Sequence, residues 1–382
     1  MTEDIKAHRD YKETFTYPDG HSLTRTEQPL GGSVNDSKAC LWLNYSYIKP
    51  DTTVFYVLLD GFRNISVQEK YRGLLKLDNS GKDIILDNGN GSQGSTPSFS
   101  AYLEQHFSHR QTLVMDFGAS LYTGHTFSDY RESLPEANDF LTDVSTCIKD
   151  RNQAYALETD YIRQWNKSRF TAGVSYTANR NRSTYENLGG RGVHQRQDKA
   201  YIFAEYFQRY HIFTYTAGIG MQYTGFSFRE TDQGNHSWNL RPQATVTYSV
   251  NSNHRLRLGF SSWQTAPSLS NTNIAPQQID GFQWQIGNPD LKNATSYKLN
   301  FRYLFSLPRV DGTFGIRVFS SPNAIAPCLF WDGDRLITTF ENSLGLKNIV
   351  FSLSPQVEII PAWLTAAGSV EYRAEQMKGK RI

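Results

Sequence analysis

Polar and apolar residues alternate along most of this chain with a period of two. In 240–250, Leu240, Pro242, Ala244, Val246, Tyr248 and Val250 share one face, and Arg241, Gln243, Thr245, Thr247 and Ser249 the other. Successive side chains of a strand point to opposite faces, so the pattern predicts strands with two different surroundings. The split recurs at Leu113, Met115, Phe117, Ala119 and Leu121, and at Phe170, Ala172, Val174, Tyr176 and Ala178. It returns at Tyr215, Ala217, Ile219, Met221 and Tyr223, and at Tyr297, Leu299, Phe301, Tyr303 and Phe305. Strands of about ten residues, apolar on one side and polar or small on the other, suit a barrel with lipid outside and water inside.

Turn formers divide the chain into about fourteen strands in seven hairpins. Short connections fall at 49–52, 108–111, 166–168, 209–211, 251–254, 307–312 and 360–363. Longer ones are expected at 63–97, 122–153, 180–199, 225–238, 261–295 and 321–334, and from 373 onward. Short turns at one end and long loops at the other match a membrane barrel with short periplasmic turns and long extracellular loops. Two strands fit less simply, because Val54 to Leu59 and Tyr201 to Phe207 are apolar or aromatic on both faces. Either a plug or folded-in loop covers their inner side, or they belong to a sandwich core.

Composition narrows these readings. The 382 residues are 38% hydrophobic and 14% aromatic, and the mean hydropathy is −0.54. No window approaches the ~20 consecutive apolar residues of a spanning helix, whereas a barrel needs only alternate ones. The formal charge of +2, with Lys and Arg scattered, gives no nucleic-acid footprint. Cys40, Cys147 and Cys328 lie far apart and signal neither a zinc site nor a redox pair. The start has no apolar signal segment and the end no closing strand, so both read as cuts through a longer protein. A barrel cut in this way has two unpaired edges and is expected not to insert alone as a stable channel.

From about 236 to 305 the sequence resembles the barrel of a TonB-dependent outer-membrane receptor, most of all the outer-membrane β-barrel family of such receptors. The resemblance is carried by Asn239-Leu-Arg-Pro-Gln-Ala244, His254-Arg-Leu-Arg-Leu-Gly-Phe260, Ala266-Pro-Ser-Leu269, Gln277-Gln-Ile-Asp280 and Gly287-Asn-Pro-Asp-Leu-Lys292. It departs from the usual pattern at Asn293, where proline is usual, and at Pro242-Gln, where Pro-Ser is usual. The resemblance implies energised solute uptake across the cell outer membrane, driven by the TonB complex through a plug domain inside a 22-stranded barrel. The implied partners are outer-membrane lipid, the plug, the TonB complex and a small or oligomeric solute, with no nucleic acid and no cofactor.

Glu158 and Asp160 share a strand face, a spacing that can hold two carboxylates at a substrate; a charged lumen wall is the plainer reading. Arg241, Arg255, Arg257, Lys298, Arg302 and Arg317 fall on polar faces of later strands, suited to an anionic solute or an acidic plug surface. Trp238, Trp263, Trp284 and Trp331 lie in or beside long loops, where they stack on a ligand or pack loops onto the rim. Trp165, Tyr176, Tyr206, Tyr223, Tyr248, Tyr303, Trp363 and Tyr372 suit an interfacial girdle. Gly89-Asn-Gly-Ser-Gln-Gly94 has the letters of a nucleotide loop but leads to a strand instead of a helix, and reads as a loop tip. His106 and His109 flank a turn without converging as metal ligands, and no nucleophile elbow occurs.

The sequence is therefore read as all-β: a polar lead-in over 1–37, part of an outer-membrane β-barrel over 38–374, and a tail over 375–382. It is expected to transport and not to catalyse. The alternatives are an adhesin-like or porin-like surface barrel that binds a partner through its loops, and a soluble β-sandwich binding module. In the barrel, Ala244, Val246, Tyr248, Phe301 and Tyr303 face outward, and Arg241, Thr245, Thr247, Lys298 and Arg302 inward.

Overall fold

Period-two alternation becomes one continuous sheet, antiparallel except for one short parallel pairing, in the computed structural model, which describes residues 2–4, 11–78, 82–108, 110–135, 140–230 and 234–379. The strands are β1 (Thr2–Asp4), β2 (Tyr11–Thr16), β3 (Ser22–Lys49), β4 (Thr53–Leu77), β5 (Asp83–Ser108), β6 (Gln111–Ser133) and β7 (Phe140–Gln164). They continue with β8 (Ser168–Tyr185), β9 (Arg191–Tyr210), β10 (Phe213–Phe228), β11 (Gly234–Ser249) and β12 (His254–Thr265). After the short β13 (Gln277–Gln278) and β14 (Gln283–Gln285) come β15 (Ala294–Leu307), β16 (Val310–Asp332), β17 (Arg335–Ile360), β18 (Leu364–Ala367) and β19 (Val370–Gly379). With β18 and β19 taken as one interrupted stave, fourteen staves meander from β3 to β19, as the turn spacing predicts. β1 and β2 pair with β3. Among the described residues no ladder joins β18 or β19 to β2 or β3, so the sheet is open.

The expected long loops are mostly strand. Hairpin ladders continue through 63–97, with Val67 opposite Ser92 and Lys76 opposite Asp83, and through most of 122–153, 180–199, 225–238 and 321–334. Beyond the apolar belt both faces of a hairpin carry polar residues, so alternation of hydrophobicity vanishes while backbone pairing persists. The glycine-rich stretch 89–94 is one such case; it lies inside β5, paired on both sides, and is not a loop tip. Gly189 and Gly190, with φ of 67° and 78°, make the tight left-handed return from β8 to β9. All three cysteines are free.

Register aligns the apolar faces into rows. Tyr215, Val246, Leu258, Phe301, Ile316, Phe351 and Tyr372 are successive cross-strand partners from β10 to β19. Ala217, Ala244, Phe260, Leu299, Val318, Ile349 and Ala374 form the next row. The belt remains uncovered: Val246, Leu258 and Leu299 are 44, 48 and 44% exposed. No second sheet packs on it among the described residues, contrary to a sandwich. The opposite face holds Tyr185, Val193, Phe226 and Phe228, which bury against Ala275 of an inward-folded segment, and so it is the lumen side. By the same parity Arg241, Thr245, Thr247, Lys298 and Arg302 face the lumen, and Ala244, Val246, Tyr248, Phe301 and Tyr303 face out.

Of the two strands with apolar residues on both faces, the one from Tyr201 to Phe207 has a local explanation. Tyr201 and Phe203 on the lumen side stack 5.4 Å apart. Their rings lie over Gly220 and Gly173 of the neighbouring strands, where any Cβ would collide with them. Bare backbone on one strand is thus covered by an aromatic ring from the next.

Candidate functional site

The segment between β12 and β15 roofs the lumen. The carbonyls of Pro267 and Leu269 accept hydrogen bonds from Gln197 Nε2 (3.1 Å) and Gln195 Nε2 (2.9 Å) of β9. Asn273 Nδ2 donates to the Tyr185 hydroxyl at the end of β8. After the β13–β14 hairpin, β14 runs parallel to β17, with Trp284 opposite Ile337. On the return, Lys292 N–H donates to Asn342 Oδ1 (2.8 Å) and Asn342 Nδ2 donates to the Lys292 carbonyl (2.9 Å). A buried irregular backbone must find hydrogen-bond partners. Here Asn and Gln side chains of β9 and β17 supply them.

Gly287 has no room for a side chain, since a Cβ would lie 2.6 Å from the Asn273 carbonyl oxygen. Gly287→Ala is therefore expected to cost about 1–3 kcal/mol by overpacking, read as a lower midpoint of thermal unfolding in detergent. An unchanged midpoint would mean that the roof is not held against Asn273.

An ionic knot ties the roof to β2 and β3. Asp280 is 2% exposed and Arg25 9%. Arg25 Nη1 donates to Asp280 Oδ2 at 2.9 Å and Nη2 to Glu13 Oε2 at 2.7 Å. Asp280 Oδ1 also accepts from the N–H groups of Phe282 (3.0 Å) and Gln283 (2.7 Å), and Oδ2 from Gln283 Nε2 (2.7 Å). The guanidinium lies 5.5 and 5.9 Å from the ring centroids of Phe15 and Phe282. Burial works against the charge on Arg25, but Tyr130, Asp280 and Glu13 outweigh it and hold the guanidinium above its ordinary pKa. Burial, then Glu132, raises the Tyr130 hydroxyl well above its usual range, so it remains a donor to Glu132 Oε1 at 2.6 Å.

Below the roof the lumen wall is divided by charge. On β7, Glu158 lies opposite Asp116 of β6, and Asp160 faces Gly173 of β8. Glu104 of β5 is in the same region, bonded to the Tyr102 hydroxyl (2.8 Å) and to His106 Nε2 (3.1 Å). Farther round the sheet, Arg257 and Arg302 are direct cross-strand partners, with Arg255 and Lys298 on the same face. Among the described residues no carboxylate lies within 4 Å of these four; Arg317 approaches Glu371 at 3.9 Å. Arg241 stands apart, 4.5 Å over the Tyr201 ring, with Nη1 donating to Gln222 Oε1 at 3.0 Å. The structure thus brings Arg255, Arg257, Lys298, Arg302 and Arg317 together on neighbouring strands, and keeps Glu158 and Asp160 on a different part of the wall.

The four tryptophans separate. Trp238 is 62% exposed on the outer face, 5.0 Å from Tyr223, and Trp263 lies on the lumen side of β12 near Phe319 (5.9 Å). Trp284 of the roof is covered by Arg335 at 5.1 Å. Trp331 stacks on Tyr17 at 4.2 Å and donates from Nε1 to the Thr16 carbonyl at 3.0 Å. His106 also contacts Thr112 through Nδ1 (2.9 Å), while His109 lies outside the described residues. Arg25 is unmarked by any local pattern; Asp280 appears in the sequence only within Gln277-Gln-Ile-Asp280.

Comparison with known proteins agrees with this geometry. The profile of the "Outer membrane protein beta-barrel family" matches residues 106–381. Among solved structures, the chain is similar to the copper transporter OprC, with 9% identity, a TM-score of 0.59, and coverage of 98% of this chain and 62% of that one. It is also similar to the ferric-catecholate import receptor Fiu from E. coli K12 (12%, 0.57, 91% and 65%) and to the outer membrane transporter YddB from Escherichia coli (10%, 0.52, 93% and 55%). The likeness is one of fold, and the chain spans about three-fifths of the length of these structures. No curated protein matches the chain.

Proposed function

Because this chain belongs to the outer membrane protein beta-barrel family, and so to the cell outer membrane, we propose that it forms receptor barrel of a TonB-dependent importer of a scarce solute. The observation that carries the reading is a polar, charge-divided inner face spanned by a hydrogen-bonded roof. An open porin needs no such roof, whereas a receptor that passes its cargo inward one at a time must control entry. In this reading the unpaired guanidinium and ammonium groups of Arg255, Arg257, Lys298 and Arg302, with Arg317 beside them, seat an acidic surface of a plug domain, or draw in an anionic solute. Glu158 and Asp160 form the complementary wall, Arg241 braces Tyr201, and Trp263, Trp284 and Trp331 line the route from roof to lumen. The TonB complex acts through the plug, and the chain carries no catalysis of its own.

The test is a footprint of the growth medium. Cells with the full-length gene are expected to deplete at least one solute that neither a deletion strain nor a strain lacking TonB depletes. If no depletion requires both genes, transport is excluded and a surface barrel that binds a partner replaces it. In the purified full-length protein, the double variant Arg257→Glu/Arg302→Glu should raise conductance across a planar bilayer by loosening the plug. Unchanged conductance would remove these residues from the plug seat.

A further inference from the structure

Above the apolar belt, the outer face of β4 to β10 carries a band of positive charge that the transport reading does not use. One lateral row runs through Arg63, Ser95, Thr123, Arg151, Arg182 and His194 as successive cross-strand partners. It ends near Arg229, whose N–H donates to the His194 carbonyl at 3.1 Å. The next row toward the membrane places Arg180 opposite Arg196. These positions have the parity of Tyr176 and Ile202, so they project outward and not into the lumen.

The band is undercompensated. Asp198 is shared by Arg180 (2.9 Å) and Arg196 (2.6 Å), and His194 is paired with Glu230. Arg63, Arg151, Arg182 and Arg229 have no carboxylate within 4 Å among the described residues. Like charges directly opposite one another on a sheet are destabilising, yet Arg151 and Arg182 occupy such a pair. Two adjoining clefts of about 590 and 560 Å³ share these two arginines, an arrangement suited to an anion with several oxygens.

Beneath the band lies a complementary apolar feature on the same strands. Tyr176 and Tyr223 lie in one row with Ala200, at the level of an interfacial girdle. Below them a hollow of about 650 Å³ opens on the outer face, where Ala172 and Ala204 are small between Tyr161 and Ile219, and Val174 and Ile202 form its upper edge. From Ala204 to Arg196 is eight residues, about 26 Å along the strand and roughly 20 Å of depth at a ~40° tilt. That depth is about one leaflet with its headgroup region.

From this stacking of guanidinium cleft, aromatic row and apolar hollow, we propose that the outer face of β7 to β10 is a specific binding site for a phosphate-bearing lipid of the outer leaflet. The phosphate is held between Arg151, Arg182, Arg180 and Arg196, and one acyl chain lies in the hollow at Ala172 and Ala204. The site faces the membrane and needs neither the plug nor a transported solute.

The full-length protein is purified in a neutral detergent, and retained lipid is counted by native mass spectrometry after exposure to phosphatidic acid or phosphatidylcholine. Wild type is expected to retain phosphatidic acid preferentially. Arg151→Gln/Arg182→Gln should lower that retention about 30-fold, from ~1 kcal/mol per basic group near an anionic lipid surface. Arg335→Gln, outside the band, should leave it unchanged. Ala204→Phe, which fills the hollow, should weaken phosphatidic acid while inorganic phosphate competes no better than before. Equal retention of the two lipids, or no loss in the double arginine variant, would overturn the proposal. Full displacement of phosphatidic acid by millimolar inorganic phosphate would also overturn it, since the site would then be one for a free anion.

Discussion

Arg25→Leu is expected to destabilise the roofed mouth by about 3–5 kcal/mol, because it leaves the Asp280 carboxylate buried without its cation. Asp280 keeps its three donors from Phe282 and Gln283, so the roof segment retains its local turn. What it loses is the tie to β2 and β3, in a place too dry for water to substitute. Asp280→Asn should be milder, since Arg25 still holds Glu13 at 2.7 Å. The double replacement Arg25→Leu/Asp280→Leu should cost less than the sum of the single changes, as expected for a coupled pair. Urea unfolding of the full-length protein in detergent reads the stability, and limited proteolysis within 266–293 reads the roof. Single variants within ~0.5 kcal/mol of wild type, with the roof still protected, would show that the knot does not hold it.

Where the chain meets hydrocarbon, the sequence is easy to read, because lipid admits one chemistry on one face and every second residue must obey it. Val246, Leu258, Phe301 and Ile316 follow that rule, and the register aligns them in one row. The seven short turns are equally plain, since apolar faces stop at both sides of each. Above the belt the constraint disappears. Residues 63–77 and 83–97 carry charges and glycines on both faces, which reads as loop although the backbone stays paired except at a bulge between Asn64 and Val67. The roof illustrates a second limit: its partners Gln195, Gln197, Asn342 and Arg25 lie 50 to 255 residues from the groups they bind. No local period records such contacts. The basic lumen group was legible as a set because Arg255, Arg257, Lys298 and Arg302 all sit at inward parity, whereas the outward basic band was not. Its members are scattered over β4 to β10 and meet only through the register.

Depth within the belt gives the sharpest separation between a lipid face and any soluble packing. Leu299 lies in the row of Ala244, Phe260 and Val318, and Phe301 one row nearer to Tyr248 and Tyr303 at the turn end. Leu299→Arg places a guanidinium in hydrocarbon near the middle of the bilayer and is expected to cost about 2–4 kcal/mol. Phe301→Arg should cost less and Tyr303→Arg less again, toward ~0–1 kcal/mol, because the charge reaches the interface by snorkelling. Asn300→Arg, between Leu299 and Phe301 but pointing into the lumen opposite Arg317, should cost no more than a like-charge cross-strand pair, about 0.2–1 kcal/mol. Reversible folding of the full-length protein into vesicles, followed by urea titration, measures all four. A soluble core would penalise Leu299 and Tyr303 alike wherever they are buried, and a slipped register would move the penalty to Asn300. Only an outward lipid belt gives a cost that falls with distance from the midplane on odd positions of β15 and stays small on the even one.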